Sequence, residues 1–180
     1  MSKQTRMGSF SVKTLVGCAL LTAVAVVLAR LLSFAPTEST RYSLETLPIL
    51  LSGLLFGPVA GALVGFSSDF LGCLLSPWGY NPLFCLPPLL LGLWAGFWRG
   101  PMRREWLRIP LALLPPILVG YLLIQSAALA LVYHPTTFLP SFLANLLSRG
   151  IQYAIIAAID WALAAALYPL LCQRALRSER

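Results

Sequence analysis

The chain has 180 residues, 58% of them hydrophobic and only 11% charged, which is too apolar for a soluble domain of this size. One crossing of a bilayer core takes about 20 residues of helix, so the length holds roughly six spans with short connections. The net charge of +7 does not point to nucleic acid, because the basic residues gather beside apolar runs: Lys3, Arg6 and Lys13; Arg99, Arg103, Arg104 and Arg108; Arg174, Arg177 and Arg180. Clusters of this kind mark the cytoplasmic side of a membrane protein and can touch anionic lipid or a partner subunit. The expectation is an all-α, six-helix transmembrane bundle, a single transmembrane domain over residues 1–180. Both termini are expected to be cytoplasmic, in a multi-pass protein of the cell membrane.

Span one is expected over about Ser11 to Phe34. It follows a basic N-terminus as a signal peptide would, but it is too long and no small-x-small cleavage site follows, so it reads as a retained helix. Small residues four apart, Ala19 with Ala23 and Ala25 with Ala29, allow close helix approach in lipid. They serve either the protein's own packing or an outside docking face. Arg30 lies near the outer end, placed to snorkel or to face a cavity. After the polar stretch APTESTRYS, span two runs from about Leu44 to Phe56 with Glu45 in its first turn, where a carboxylate suits the positive end of the helix dipole. It is short for a full crossing.

Gly57-Pro58 predicts a tight inner turn. Span three, about Val59 to Leu75, carries Gly61, Gly65 and Asp69 on one line. An acid facing lipid costs roughly 2.5–3.5 kcal/mol, so Asp69 is expected to point inward, toward an arginine or a polar ligand. The turn PWGYNP leads to span four, about Leu83 to Trp98, interrupted by Pro87-Pro88; carbonyls freed by proline are tolerated only inside protein or beside a watered cavity. Span five, about Ile109 to Val132, holds Pro115-Pro116. His134 reads as a solvated loop residue. Span six, about Pro140 to Cys172, carries Asn145, Arg149, Gln152 and, deeper, Asp160. Ala154, Ala158, Ala162 and Ala166 form a second small-residue stripe expected to serve packing.

Arg30, Arg41, Glu45, Asp69, Trp78, Tyr80, Asn81, Asn145, Arg149 and Gln152 fall in the outer half or the outer loops, with Asp160 alone placed near or below the middle. One polar, aromatic-rimmed cavity open to the outside accounts for the clustering. Arginines there suit carboxylates, which guanidinium binds bidentately, and Trp78 and Tyr80 either stack on a flat heterocycle or belong to the interfacial aromatic belt. Each cysteine (Cys18, Cys73, Cys85, Cys172) stands alone in an apolar run without CxxC or Cys/His spacing, which predicts neither a disulfide framework nor a metal site. The chain holds no HExxH, Walker A or serine-elbow motif and no visible inverted repeat of three plus three spans. A binder powered by other subunits is expected, with no cofactor and no enzymatic activity of its own.

The stretch RYSLETLPILLSGLLFGPVAGALVGFSSDFLG resembles the folate-type substrate-binding (S) component of energy-coupling factor (ECF) transporters. The resemblance rests on Arg41, Leu47-Pro48, the run from Gly53 through FGPxxG to Gly65, and Asp69 to Gly72. The PWGYNP turn is similar to the family's turn before span four, and Ala19 and Ala23 match its AxxxA motif. It implies high-affinity capture of folate from outside and docking through Ala19 and Ala23 on a transmembrane coupling subunit served by two ATPase subunits. It also implies toppling within the membrane to deliver the ligand. On that likeness Arg41 and Arg149 meet carboxylates or the pterin carbonyl, Asp69 or Glu45 accepts the pterin amino protons, and Trp78 or Tyr80 covers the ring. The alternatives are an S component for riboflavin, a queuosine precursor or a pyrimidine, a small lipid enzyme using Asp69, Glu45 or His134, and a purely structural membrane subunit.

Overall fold

The computed structural model describes residues 11–34, 42–75, 81–99, 105–133 and 135–177, with side chains described throughout except at 105–106 and 172–177. Arg41, Trp78, Tyr80 and His134 lie outside the described residues. Helices α1 (Val12–Arg30), α2 (Thr46–Phe56), α3 (Pro58–Leu74) and α4 (Pro82–Phe97) are followed by α5 (Glu105–Pro116). A π-helical segment (Ile117–Ile124) carries α5 without a break into α6 (Gln125–Tyr133), and one turn of tighter helix (Pro135–Thr137) leads to α7 (Phe138–Arg177). Val12–Arg30, Leu107–Tyr133 and Pro135–Leu171 are long and apolar enough to cross a membrane, and Thr46–Phe56, Pro58–Leu74 and Pro82–Phe97 are shorter apolar helices. Together they make the six-helix membrane bundle that the composition implied. The described residues contain no strand, only one antiparallel pair in which Phe34 and Tyr42 exchange backbone hydrogen bonds of 2.8 and 2.9 Å.

Cross-helix contacts give the bundle two ends. Gly17 lies against Phe56, Gly96 against Pro58, and Arg108 against Tyr168 at one end; Arg30 lies against Gly72 toward the other. Gly57 makes the α2–α3 turn with φ of 100°, a conformation that L side chains rarely adopt. The Arg99 guanidinium closes that turn by donating to the Phe56 carbonyl at 2.8 Å, a cation set on the negative end of α2.

The α3–α4 pair is the most extensive helix interface, and glycine makes it. A Cβ placed on Gly61 would stand 2.2 Å from the Gly92 carbonyl oxygen, and one on Gly92 would stand 2.0 Å from that of Gly61. Without a hydrophobic drive between helices in lipid, backbone approach of this kind supplies the dispersion that holds them. Pro87 and Pro88 sit inside a continuous α4 and are buried there, so the two prolines do not end the span.

The small-residue stripes divide differently from expectation. On α1, Ala25 and Ala29 are buried while Ala19 and Ala23 stay exposed, so the two pairs serve opposite faces. On α7, Ala154, Ala158, Ala162 and Ala166 are all exposed. The expected packing stripe is not used within this chain, because α7 buries the adjacent face that carries Arg149, Tyr153, Ile156 and Asp160.

The glycine contact predicts that Gly61→Val costs about 1–3 kcal/mol of stability through overpacking. Thermal unfolding in detergent should show this loss for Gly61→Val and nothing comparable for Leu63→Val, since Leu63 is 50% exposed on the same helix.

Candidate functional site

The site begins with a helix that stops early. α2 has 11 residues, a rise of about 16 Å, against a hydrocarbon core of about 30 Å. Its C-terminal end is fixed at the Gly57 turn, so its first residue, Thr46, sits about halfway through the bundle. Ser43 and Leu44 reach that depth as non-helical chain. Irregular backbone at membrane depth is tolerated where it is buried in protein or lines a cavity. The N-cap residue Glu45 makes no side-chain capping bond, so the positive end of the α2 dipole opens into the interior.

Facing that helix end is a set of polar groups from the π-helical segment, α6 and α7. Asp160 is fully buried (0% exposed), and its Oδ2 accepts a hydrogen bond from the equally inaccessible Thr46 hydroxyl. Asp160 also lies within electrostatic reach of Glu45. Tyr121 is buried within reach of Glu45, Asp69 and Asp160, and its ring packs 5.1 Å from that of Tyr153 at 47°. The Tyr153 hydroxyl donates to Gln125 Oε1 at 3.2 Å. Arg149 and Gln152 are buried on the same side of α7, at 6% and 1% exposure.

The π-helical segment has a local cause. Pro115 and Pro116 lack the N–H groups that would continue the ladder of α5, and the Gln125 N–H bonds back to the Gly120 carbonyl, five residues earlier. That wider turn places Tyr121, Gln125 and Ser126 close to one face, as π-helical insertions at functional sites do. Tyr121 Oη, Ser126 Oγ and Asp160 Oδ1 are buried with no hydrogen-bond partner among the described residues. Buried polar atoms are almost always satisfied, so Tyr121 Oη and Asp160 Oδ1, which lie within electrostatic reach of each other, point to a place suited to polar groups.

Of the residues expected at the site, Glu45, Arg149 and Gln152 lie on the elements that form this cluster, and Asp69 is within electrostatic reach of Tyr121. Asp69 is half-buried and accepts the Cys73 thiol at 3.8 Å. Arg30 also comes within hydrogen-bonding reach of Cys73; it has turned inward, into the space left by Gly72, rather than snorkelling. Asn81 is the N-cap of α4, accepting the Leu83 N–H at 3.0 Å. Asn145 is half-buried one turn before Arg149. Asp160, expected near mid-depth or below, belongs to the cluster, because the short α2 brings Thr46 down to meet it. Tyr121, Gln125, Ser126, Tyr153 and Thr46 were not anticipated. A glutamine and a tyrosine inside the apolar run GYLLIQSAALALV are the sequence signal for two of these contacts, Tyr121 on Tyr153 and Tyr153 to Gln125.

This is the architecture of a membrane-embedded solute-binding subunit: a polar interior walled by lipid-facing helices, with no metal-binding group of His, Cys, Asp or Glu among the described residues. A model of the family described as ECF-type riboflavin transporter, S component, matches residues 9–169. The chain belongs to that family of vitamin-binding membrane subunits, which bind for transport and are not enzymes. Among solved structures, that of FolT bound with folic acid is similar at a TM-score of 0.75 and 26% identity, covering 87% of this chain and 93% of FolT. The S component for biotin from an ECF-type ABC transporter shares the fold at a TM-score of 0.60 and 17% identity, covering 92% and 95% of the two chains. No curated protein sequence matches.

The Thr46–Asp160 contact predicts that Thr46→Val, which keeps the shape and removes the hydroxyl, destabilises the folded protein by about 1–3 kcal/mol. In a double-mutant cycle with Asp160→Leu, the two changes should be non-additive, because each deletes the same contact; chemical or thermal unfolding in detergent reads both.

Proposed function

We propose that this chain is the folate-binding subunit of an ECF-type, ATP-driven importer in the cell membrane. The observation that carries the folate reading is the likeness to FolT bound with folic acid, which extends over 93% of that protein at 26% identity. The site's chemistry supports it. Arg149 supplies a buried guanidinium suited to a carboxylate, the Tyr121–Tyr153 pair supplies aromatic surface, and Glu45, Asp69 and Asp160 supply acceptors for amino protons. Arg41 adds a second guanidinium for the anionic tail, Trp78 and Tyr80 cover the ring, and Asn81, Asn145 and Gln152 complete the polar lining.

Orientation follows from charge. Arg99 and Arg108 lie at the Gly57 end, and Lys13, Arg103 and Arg104 are close to that end in sequence, so by the positive-inside tendency it faces the cytoplasm with both termini. The site then opens outward. Ala19 and Ala23, exposed on α1, form the close-approach face for a transmembrane coupling subunit, which two ATPase subunits drive. A second reading, riboflavin as the ligand, is favoured by the description of the matching family. The two separate on charge, since folate carries carboxylates and riboflavin carries none.

Purified protein should gain thermal stability that rises with the logarithm of folic acid concentration above the Kd, more than with riboflavin at equal concentration. Arg149→Gln should weaken folic acid binding by about 10- to 100-fold, the loss of a charge-assisted hydrogen bond. Stabilisation by riboflavin alone would overturn the folate reading and leave the family untouched. Replacing both Ala19 and Ala23 with leucine should abolish folate uptake by cells carrying the coupling module while leaving binding in detergent unchanged; retained uptake would exclude that face from docking.

A further inference from the structure

We infer that Asp160, held by Thr46, is the specificity-determining acceptor of this site, and that it reads a pair of adjacent N–H donors on the edge of the ligand's ring. The inference rests on the folate reading and goes further, in assigning the end of the site where the ring lies and the residue that selects it.

Arg149 and Asp160 stand on one buried face of α7, with Tyr153 and Ile156 between them. They are three turns apart, about 16 Å along the axis. A ligand lying along this face meets a guanidinium at one end, an aromatic pair in the middle and a carboxyl group at the other. The carboxyl end is the interior one, walled by the first turn of α2. Asp160 there is completely inaccessible, whereas the Arg149 end lies toward the start of α7.

The groups around Asp160 define what it takes. Oδ2 is occupied by the Thr46 hydroxyl, and Oδ1 has no partner among the described residues. Tyr121 Oη lies in the same neighbourhood and is likewise unmatched. With the Thr46 hydroxyl on one lone pair of Oδ2, a second lone pair of Oδ2 and the open Oδ1 remain, one acceptor on each oxygen, which is what two parallel N–H groups require. The aminopyrimidinone edge of a pterin offers that pair, an exocyclic amino group beside a ring N–H. The corresponding edge of a flavin puts a ring N–H between two carbonyl oxygens, so a carboxylate there meets lone pairs on both sides. Such a mismatch is costly because buried acceptors are left unmatched on ligand and protein alike. Asp160 therefore favours the pterin, and Asn, with one acceptor and one donor, would suit the flavin edge better.

The test compares folic acid, its desamino analogue (ring amino group replaced by hydrogen) and riboflavin by calorimetric titration of the full chain in detergent, wild type and Asp160→Asn. Wild type should bind the desamino analogue about 10- to 100-fold more weakly than folic acid. In Asp160→Asn that penalty should vanish and the preference should move toward riboflavin. Equal binding of folic acid and its desamino analogue by wild type would overturn the inference while leaving the folate reading intact. Wild type that binds riboflavin and no folic acid would overturn both. If Asp160→Asn does not fold, Glu45→Gln and Asp69→Asn take its place: each should keep the desamino penalty, and loss of the penalty in either would overturn the inference.

Discussion

The structure depends on a helix that cannot cross the membrane. α2 is anchored at the Gly57 turn by backbone geometry and by the Arg99 guanidinium on its last carbonyl, that of Phe56. With 11 residues it ends near mid-depth, about 16 Å away. Everything polar in the interior follows from that stop. The exposed positive end of α2 has to be matched, the chain above it has to run unwound through the bundle, and the helices opposite supply the polar side chains that make this tolerable. Thr46–Asp160 is where the two halves meet.

The halves are held in different ways. α2, α3 and α4 approach backbone to backbone at Gly53, Gly61, Gly65, Gly92 and Gly96. α7, α6 and the π-helical segment instead hold one another through large side chains, Tyr121 on Tyr153 and Tyr153 to Gln125, and α7 meets α2 through Asp160 and Thr46. Polar, side-chain-mediated contacts reshape around a ligand more readily than glycine-tight backbones do. The site lies on the seam between the rigid half and the adaptable one, and the unmatched atoms Tyr121 Oη, Ser126 Oγ and Asp160 Oδ1 all sit on the adaptable side or against it.

The helix order and the short second span were legible in the sequence, because apolar run length and Gly-Pro punctuation are local properties. The family was legible from FGPxxG and its flanks for the same reason: a glycine turn and glycine-tight packing leave few other residues possible. The floor of the site was not. Counting residues along span six puts Asp160 near mid-depth or below, but only the stop of α2 at mid-depth shows that it meets Thr46 beside Glu45. The π-helical register was hidden as well, since Pro115-Pro116 announces a disturbed ladder without saying that Tyr121, Gln125 and Ser126 will share a face. Ala154 to Ala166 misled in the other direction, for periodicity gives a stripe but not the side of the helix that the bundle covers.

The name of the matching family and the closely similar folic acid complex point to different vitamins on one fold, and the interior polar groups are where such ligands are told apart. The most direct test of the account is a structure of this protein with folic acid bound. The account predicts the pterin ring between α7 and the π-helical segment, beside Tyr121 and Tyr153, with its amino edge in hydrogen-bond distance of Asp160 and its carboxylates toward Arg149. A ligand lodged away from the α2 N-terminus, with Asp160 still enclosed by protein alone, would contradict it.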